Sequence, residues 1–424
     1  MFRSAGRRLA TATLFATTAA AGSTAAAQEN PNPLDLSEGQ APADLFDALS
    51  SGTVKANVRL RSEFADVRGS DISWANTVRT RVGYETQAWQ SFQAYVELED
   101  IRAFDDDRYN AANLNGQPNR SVIADPEDTE LNQLWASYTV PLDGVKLTVK
   151  PGRQVIALDD QRFVGHVGWR QDNQTFDAVT LTSDLGVDKL KVTYGYLWQI
   201  NRIFGEFRDF NSESHLFNVS YDLDQVGKVT GFAYLLDFDN AAANSNQTFG
   251  VRLAGKQKFN DQFTLPYQAS FAYQEDYGSN TVSYDAIYYM LDAGLAVKNV
   301  GTFGAGYEVL GSDDGNFAFR TPLATGHKFN GFADVFLVTP NDGLEDFYVY
   351  FAPANLPWGL KGKVAYHWFS GNDDIASYGQ EVNAVLNKKI NGNLSLGAKY
   401  AYFMSDEPGF AERTRLTFDV TLSF

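Results

Sequence analysis

"TVKANVRLRSEF" (53–64) decides the fold. Val54, Ala56, Val58, Leu60 and Phe64 fall on one face of an extended chain. Lys55, Asn57, Arg59, Arg61 and Glu63 fall on the other. A period of two is the signature of a strand with two unlike faces. The pattern returns in "GLKGKVAYHWF" (359–369), where Leu360, Val364, Tyr366 and Trp368 oppose Lys361, Lys363 and His367. It returns again in "LSLGAKYAYF" (394–403) and in "RLTFDVTLSF" (415–424). In the last of these, Leu416, Phe418, Val420, Leu422 and Phe424 alternate with polar residues.

About 18 such segments follow one another. They lie near 53–64, 74–88, 91–104, 129–140, 145–156, 174–183, 188–200, 213–223, 227–238, 247–259, 263–276, 283–297, 300–311, 344–353, 359–370, 378–388, 393–404 and 411–424. Each has roughly the ten residues that a tilted strand needs to cross a bilayer. Short connections such as "QAWQ", "PLDG", "FNDQ" and "KNVG" alternate with long ones at 105–128, 157–173, 201–212, 312–343 and 371–377. Short turns on one side and long loops on the other predict an all-β fold: a transmembrane antiparallel β-barrel of about 18 strands. The short turns would be periplasmic and the long loops extracellular. A soluble all-β protein is the alternative, but it needs neither equal strand lengths nor loop asymmetry. Closure would pair the last strand with the first, because an open edge in lipid leaves backbone groups unpaired.

Composition agrees. The chain has 424 residues, formal charge −17, no cysteine and 14% aromatics. Without cysteine there is no thiol nucleophile, disulfide or thiolate metal site. Arg3, Arg7 and Arg8 precede the apolar stretch "LATATLFATTAAAG" (9–22), and "AAAQ" (25–28) offers a small-residue cleavage site. Residues 1–27 thus read as a secretory signal peptide removed after Ala27. Its loss removes three arginines and no acid, which leaves a charge of −20. Residues 28–50 read as an acidic periplasmic lead-in and 51–424 as the barrel. The expected address is the outer membrane of a Gram-negative bacterium. The expected partners are its lipid and lipopolysaccharide, the barrel assembly machinery and an anionic solute, with no nucleic acid.

The inward faces carry the functional expectation. Arg59 and Arg61 on the first strand, Arg79 and Arg81 on the second, and Arg413 and Arg415 on the last all point inward. Closure makes these strands neighbours and sets the six arginines near mid-height if register shear is modest. Lys146, Lys150, Arg252, Lys256, Lys363 and Lys399 add to the same surface. Acids cluster in the loops instead, as Asp105–Asp107, Asp159–Asp160, Asp313–Asp314, Asp373–Asp374 and Asp406–Glu407. Rings of basic side chains are the known route to anion selectivity, and the planar guanidinium fork suits carboxylates. The alternative is a salt-bridge network that braces the wall, since Glu63, Glu85, Glu97, Glu99 and Asp419 also face inward. The acidic doublets read as solvated loops; calcium binding is the other reading.

No catalytic or metal constellation stands out, and no cofactor motif is present. The histidines (His166, His215, His327, His367) are scattered without HxxxH or HExxH spacing. A barrel lipase would need a Ser–His pair on the outer face. His215 lies near Ser212 and Ser214, but packing explains it better. "GAG" (304–306) reads as strand glycines that let aromatics pack.

Three stretches carry a resemblance: "PGRQVI" (151–156), "LDDQRFVGHVGWRQDNQTFDAVTL" (158–181) and "TPLATGHKFNGFADVFL" (321–337). They resemble the alginate-export family of outer-membrane barrels. The resemblance implies an 18-stranded barrel with a narrow, positively charged pore for a polyuronate and loops folded over or into it. It assigns Arg153, Arg162, Arg170 and Asp177 to the pore, and matches His327 and Lys328 by position. Alternation argues differently for Asp177, which shares its face with Val179 and Leu181; a bulge would reconcile the two. The expectation is a passive channel for anionic solutes, such as acidic saccharides, filtered where loop 157–173 meets the wall arginines. A general porin, a barrel enzyme and a closed structural or adhesion barrel are the other readings.

Overall fold

The computed structural model describes residues 42–373 and 376–424. The expected signal peptide, most of the lead-in and Asp374 lie outside the described residues. The lead-in ends in a short helix, α1 (Leu45–Ser50), whose first turn is capped by the Asp44 carboxylate accepting from the Asp47 N–H.

Twenty strands follow. The first seven are β1 (Thr53–Val67), β2 (Ser73–Glu85), β3 (Phe92–Ala103), β4 (Asp128–Leu142), β5 (Val145–Gln154), β6 (Thr175–Ser183) and β7 (Leu190–Asn201). Next come β8 (Phe210–Asp222), β9 (Lys228–Leu236), β10 (Asn246–Lys258), β11 (Phe263–Asp276), β12 (Asp285–Val297) and β13 (Gly301–Leu310). The two-residue strands β14 (Ser312–Asp313) and β15 (Phe317–Ala318) form a small hairpin inside a loop. The last five are β16 (Leu344–Pro353), β17 (Lys361–Ser370), β18 (Ser377–Lys389), β19 (Leu394–Ser405) and β20 (Arg413–Ser423).

The 18 long strands pair antiparallel in chain order and β20 closes on β1, from Asn57↔Ser423 to Val67↔Arg413. The closing ladder runs on to Phe424, whose N–H donates to the Ala56 carbonyl at 2.8 Å while its carbonyl accepts from Ala56 N–H at 3.1 Å. Every expected strand is therefore present, and among the described residues the barrel leaves no open edge. The eight connections on one side of the wall are all short, and the long ones, 104–127, 155–174 and 311–343, all lie on the other side.

Alternation sets the two faces. Leu60, Val82, Leu98, Phe217, Val251, Phe271, Leu291, Phe303, Phe347, Val364 and Phe418 point outward and are exposed. This is the apolar surface that lipid would solvate. Trp74, Trp198 and Trp368 join it. Trp135 faces inward opposite Tyr95, with the Lys150 ammonium 4.9 Å from its ring. The "GAG" glycines behave as expected. Tyr350 and Tyr348 lie over Gly304 and Gly306, and both phenols donate to Asp292.

The interior is not uniformly polar. Toward the loop end, the inner faces of β8–β13 and β16–β19 carry Phe232, Tyr234, Leu236, Tyr288, Met290, Leu310, Leu344, Phe369 and Phe403 in one buried cluster. That apolar surface has partners because two long connections, 155–174 and 311–343, fold inside the barrel and pack on it.

Candidate functional site

Residues 155–174 form a strap across the bore. The strap leaves β5 and first reaches the β8–β13 wall. There Asp159 accepts from Asn218 at 2.8 Å and from Thr230 at 3.2 Å, with the Lys228 ammonium at 3.3 Å. Asp160 pairs with Arg252, and Arg162 with Glu308 at 2.9 Å. Phe163 sits among Phe232, Tyr288 and Phe319, with ring centroids 4.9–6.1 Å away. The strap then crosses to β1–β3 and returns to β6.

On that opposite wall it covers the arginines. Arg59 donates to Gln171 Oε1 at 2.8 Å, to the Gly168 carbonyl at 3.0 Å and to the Arg170 carbonyl. Arg79, directly opposite Arg59 in the β1–β2 register, donates to Gln171 O at 3.2 Å and to Asn57. Arg81 donates to Glu99 and reaches Gln171 O at 3.4 Å. Arg61 bridges Asp419 at 2.7 Å and Asp125 at 3.4 Å. These four arginines are 1–8% exposed.

Arg170 of the strap is the hub. It meets Glu63 at 3.1 Å, Asp334 at 3.0 Å and Asp125 at 3.8 Å. Three elements deliver those acids. Glu63 comes from β1, Asp125 from connection 104–127, which packs on β1–β3 through Tyr109 and Ile123, and Asp334 from connection 311–343. Arg415 shares Glu63 at 2.8 Å. The acids surrounding Arg170 raise its already high pKa further, although burial works against them.

Trp169 lies beside this hub. Its ring stacks on His327 at 3.9 Å and 2°. The Arg61 guanidinium is 4.2 Å and the Lys399 ammonium 3.6 Å from the ring centroid. These are cation–π distances. Burial pushes His327 down to about 3 despite its Asp334 partner, so at neutral pH it is an uncharged ring. Its Nδ1 lies 2.7 Å from Asp334 Oδ1. Burial alone would raise the Asp334 carboxyl, but His327, Arg415 and Arg170 together hold it below the usual carboxylate range.

The expected site residues thus divide. Arg59, Arg61, Arg79, Arg81, Arg170 and Arg415 come together. The register is more sheared than expected, because Arg415 stands opposite Ala65 and Arg413 opposite Val67. The arginines therefore climb diagonally rather than forming a mid-height ring. Arg413 donates to the Asp334 and Ala411 carbonyls. Arg162 of the strap meets Glu308 at the other wall, Arg252 of β10 faces inward there, and Lys363 faces inward with its ammonium 4.5 Å from the Tyr350 ring.

Arg153 and Asp177 are elsewhere. They pair at 2.8 Å and stand opposite each other, in line with the outward-facing Leu134 and Val96. The alternation is right here and the pore position implied by the resemblance is not. The bulge lies on the neighbouring strand at Trp198, not at Asp177. His215 also faces outward, its Nδ1 3.0 Å from the Tyr194 hydroxyl, while Ser212 and Ser214 are buried inside and bonded to each other. No Ser–His pair forms there. The doublet Asp159–Asp160 is inside the bore and partnered, not solvated. Lys328, matched by position, donates to the Asp160 carbonyl at 2.8 Å.

Sequence reasoning missed Trp169, Gln171, Asp125 and Asp334. None has a strand period around it. The run "GWRQDNQ" (168–174), polar yet flanked by strand residues, was the available signal.

A family model described as alginate export matches residues 53–367. No curated protein matches the chain. Among solved structures, Acinetobacter baumannii OccAB2 aligns with a TM-score of 0.68 and 14% identity, over 89% of this chain and 99% of that one. Acinetobacter baumannii OccAB3 aligns with a TM-score of 0.66 and 15% identity, over 88% and 99%. The outer membrane protein opdK from Pseudomonas aeruginosa gives 0.63 and 14%, over 88% and 99%. At such identities the likeness concerns the fold.

Proposed function

This chain belongs to the alginate-export family, a porin-like outer-membrane channel by family and fold, and we propose that it passes anionic solutes, above all acidic saccharides of the alginate type. Flow is passive and runs down a concentration difference. Solute is filtered where strap 155–174 meets the β1–β2–β20 arginines, and the covered arrangement is the narrow state of that filter.

One observation carries the reading. Among the described residues, Arg59 and Arg413 have no carboxylate within salt-bridge distance; backbone carbonyls and an amide hold them instead. Arg79 faces Arg59 directly, with Glu99 only at 3.9 Å. Like charges set opposite each other on a strand pair are destabilising. A wall that braced itself alone has no need of them. An incoming carboxylate or uronate would replace the strap carbonyls and gain a bidentate, charge-assisted contact.

The second reading is favoured by Arg61, Arg81, Arg170 and Arg415, all in contact with carboxylates. In that reading the arginines brace the wall, and the channel is a general porin for small organic solutes.

Liposome swelling separates the two. Uronate oligomers are expected to enter faster than neutral oligomers of equal size, and Arg59→Ala or Arg413→Ala is expected to remove the difference. Neither change orphans a carboxylate. Equal rates in the unaltered protein would end the anion reading and leave the general porin.

A further inference from the structure

Behind the arginines, three carboxylates meet where the strap touches the wall. Glu99 of β3, Glu130 of β4 and Asp172 of the strap each offer an oxygen, and these oxygens lie within 4.8 Å of one another. Glu99 and Asp172 are each 1% exposed. Arg81 engages one Glu99 oxygen, and Arg79 approaches it at 3.9 Å. Three carboxylates therefore face one direct guanidinium contact.

An acidic cluster alone is not a site, but here the orphaned atoms are specific. Both Asp172 carboxylate oxygens and Glu99 Oε1 are buried without a hydrogen-bond partner. So is Asn132 Oδ1, from the β4 bulge. Its amide is oriented by the other end, since Asn132 Nδ2 donates to Glu97 Oε1 at 2.7 Å and to Asn173 Oδ1 at 3.3 Å. The carbonyl oxygen is therefore correctly the orphan. All four atoms are acceptors, and a buried acceptor without a partner is destabilising. A proton could satisfy one of them; a cation can satisfy several at once.

We propose that Glu99, Glu130 and Asp172 bind a calcium ion that ties the strap to the β3–β4 wall. The ligand set is all oxygen, which selects a hard cation. Calcium takes six to eight oxygens in a flexible arrangement, whereas magnesium demands near-ideal octahedral geometry that three carboxylates from two strands and a loop are not built to give. Asp172 adjoins Gln171, whose main chain and side chain hold Arg59 and Arg79, so an ion here would set the strap's position over them.

The test uses the full chain in detergent, stripped of divalent ions with a chelator and titrated calorimetrically with calcium chloride or magnesium chloride. The expected result is one saturable calcium site per chain and weaker magnesium binding. Asp172→Asn and Glu130→Gln are each expected to weaken calcium binding about tenfold or more. Asp105→Asn with Asp106→Asn, in an exposed acidic run, is expected to leave it unchanged. Heat-modified gel mobility checks that each variant keeps a closed barrel. Absence of a saturable site in the unaltered chain overturns the proposal without needing any variant. So does equal calcium affinity in Asp172→Asn and Glu130→Gln, or magnesium binding as tight as calcium.

Discussion

At residues 159–163 the strap is seated on the β8–β13 wall by Phe163 among rings, with Asp159 and Asp160 tied to single cations nearby. At residues 168–172 it is seated on the β1–β3 wall almost wholly by charge and carbonyl contacts, with one aromatic stack at Trp169. Apolar contact is indifferent to what ions a solute carries. A guanidinium–carbonyl contact can be exchanged for a guanidinium–carboxylate contact at little cost, because both satisfy the same donors. The comparison assigns different jobs to the two ends. Under the proposed anion reading, the ring-held end would be the fixed anchor and the arginine-held end the one that a charged solute displaces.

Replacing Arg170 should break this contrast most severely. Arg170→Ala leaves Glu63 and Asp334 with Arg415 as their one remaining shared cation and removes the strap from the network, and losing one partner of a buried network costs about 3–5 kcal/mol. Residues 157–174 should lose hydrogen-exchange protection and single-channel conductance should rise, while the strands stay protected. Retained protection would mean that charge does not hold this end.

The anchor end should give a smaller effect. Phe163 is only partly buried, so Phe163→Ala should cost about 2 kcal/mol, below the range for a fully buried ring. Its signature differs as well. Exchange should rise at 159–163, with 168–172 still protected at neutral pH. Loss of protection along the whole strap would show that the two ends are one cooperative unit.

Acid should act on the Trp169 end through His327. Seated, the ring titrates near 3; released, it titrates near 6.5. Between those values the released strap binds more protons, so seating weakens as pH falls through this window and is flat above it. The loss at pH 5.5 is about 1.4 kcal/mol. Open probability should climb from pH 7 to pH 5, and His327→Gln should abolish that slope whatever its baseline. An unchanged slope would place the titrating group elsewhere.

The smallest effect is expected outside. Arg153→Ala removes a partly exposed ion pair on the outer face, worth about 1 kcal/mol or less, and should leave solute selectivity unaltered. A change in anion preference would return Arg153 to the lumen and overturn the face assignment.

The wall was legible because its code is local. Period two, with turns every ten residues or so, places all 18 strands, and it set the face of Asp177 at odds with the family resemblance. The strap was not legible. Arg170 meets Glu63 across 107 positions and Asp334 across 164, and neither contact leaves a periodic trace. The same blindness hid the Glu99–Glu130–Asp172 cluster, whose members belong to two strands and a loop. It also made Asp159–Asp160 look like solvated acid, since only the infolding of the strap supplies Arg252 and Lys228 as partners.

Those long sequence separations bear on how the molecule is made. The strap lies in the first half of the chain, yet Glu308, Asp334 and Thr325, which hold it, come from the last third. It cannot reach its final place until β13 and the connection after it have been laid down. The wall is therefore expected to form around a bore that is still wide, with the interior furnished last. A newly made barrel should leak before it filters, and the interval between those two states should be measurable as a brief early rise in permeability.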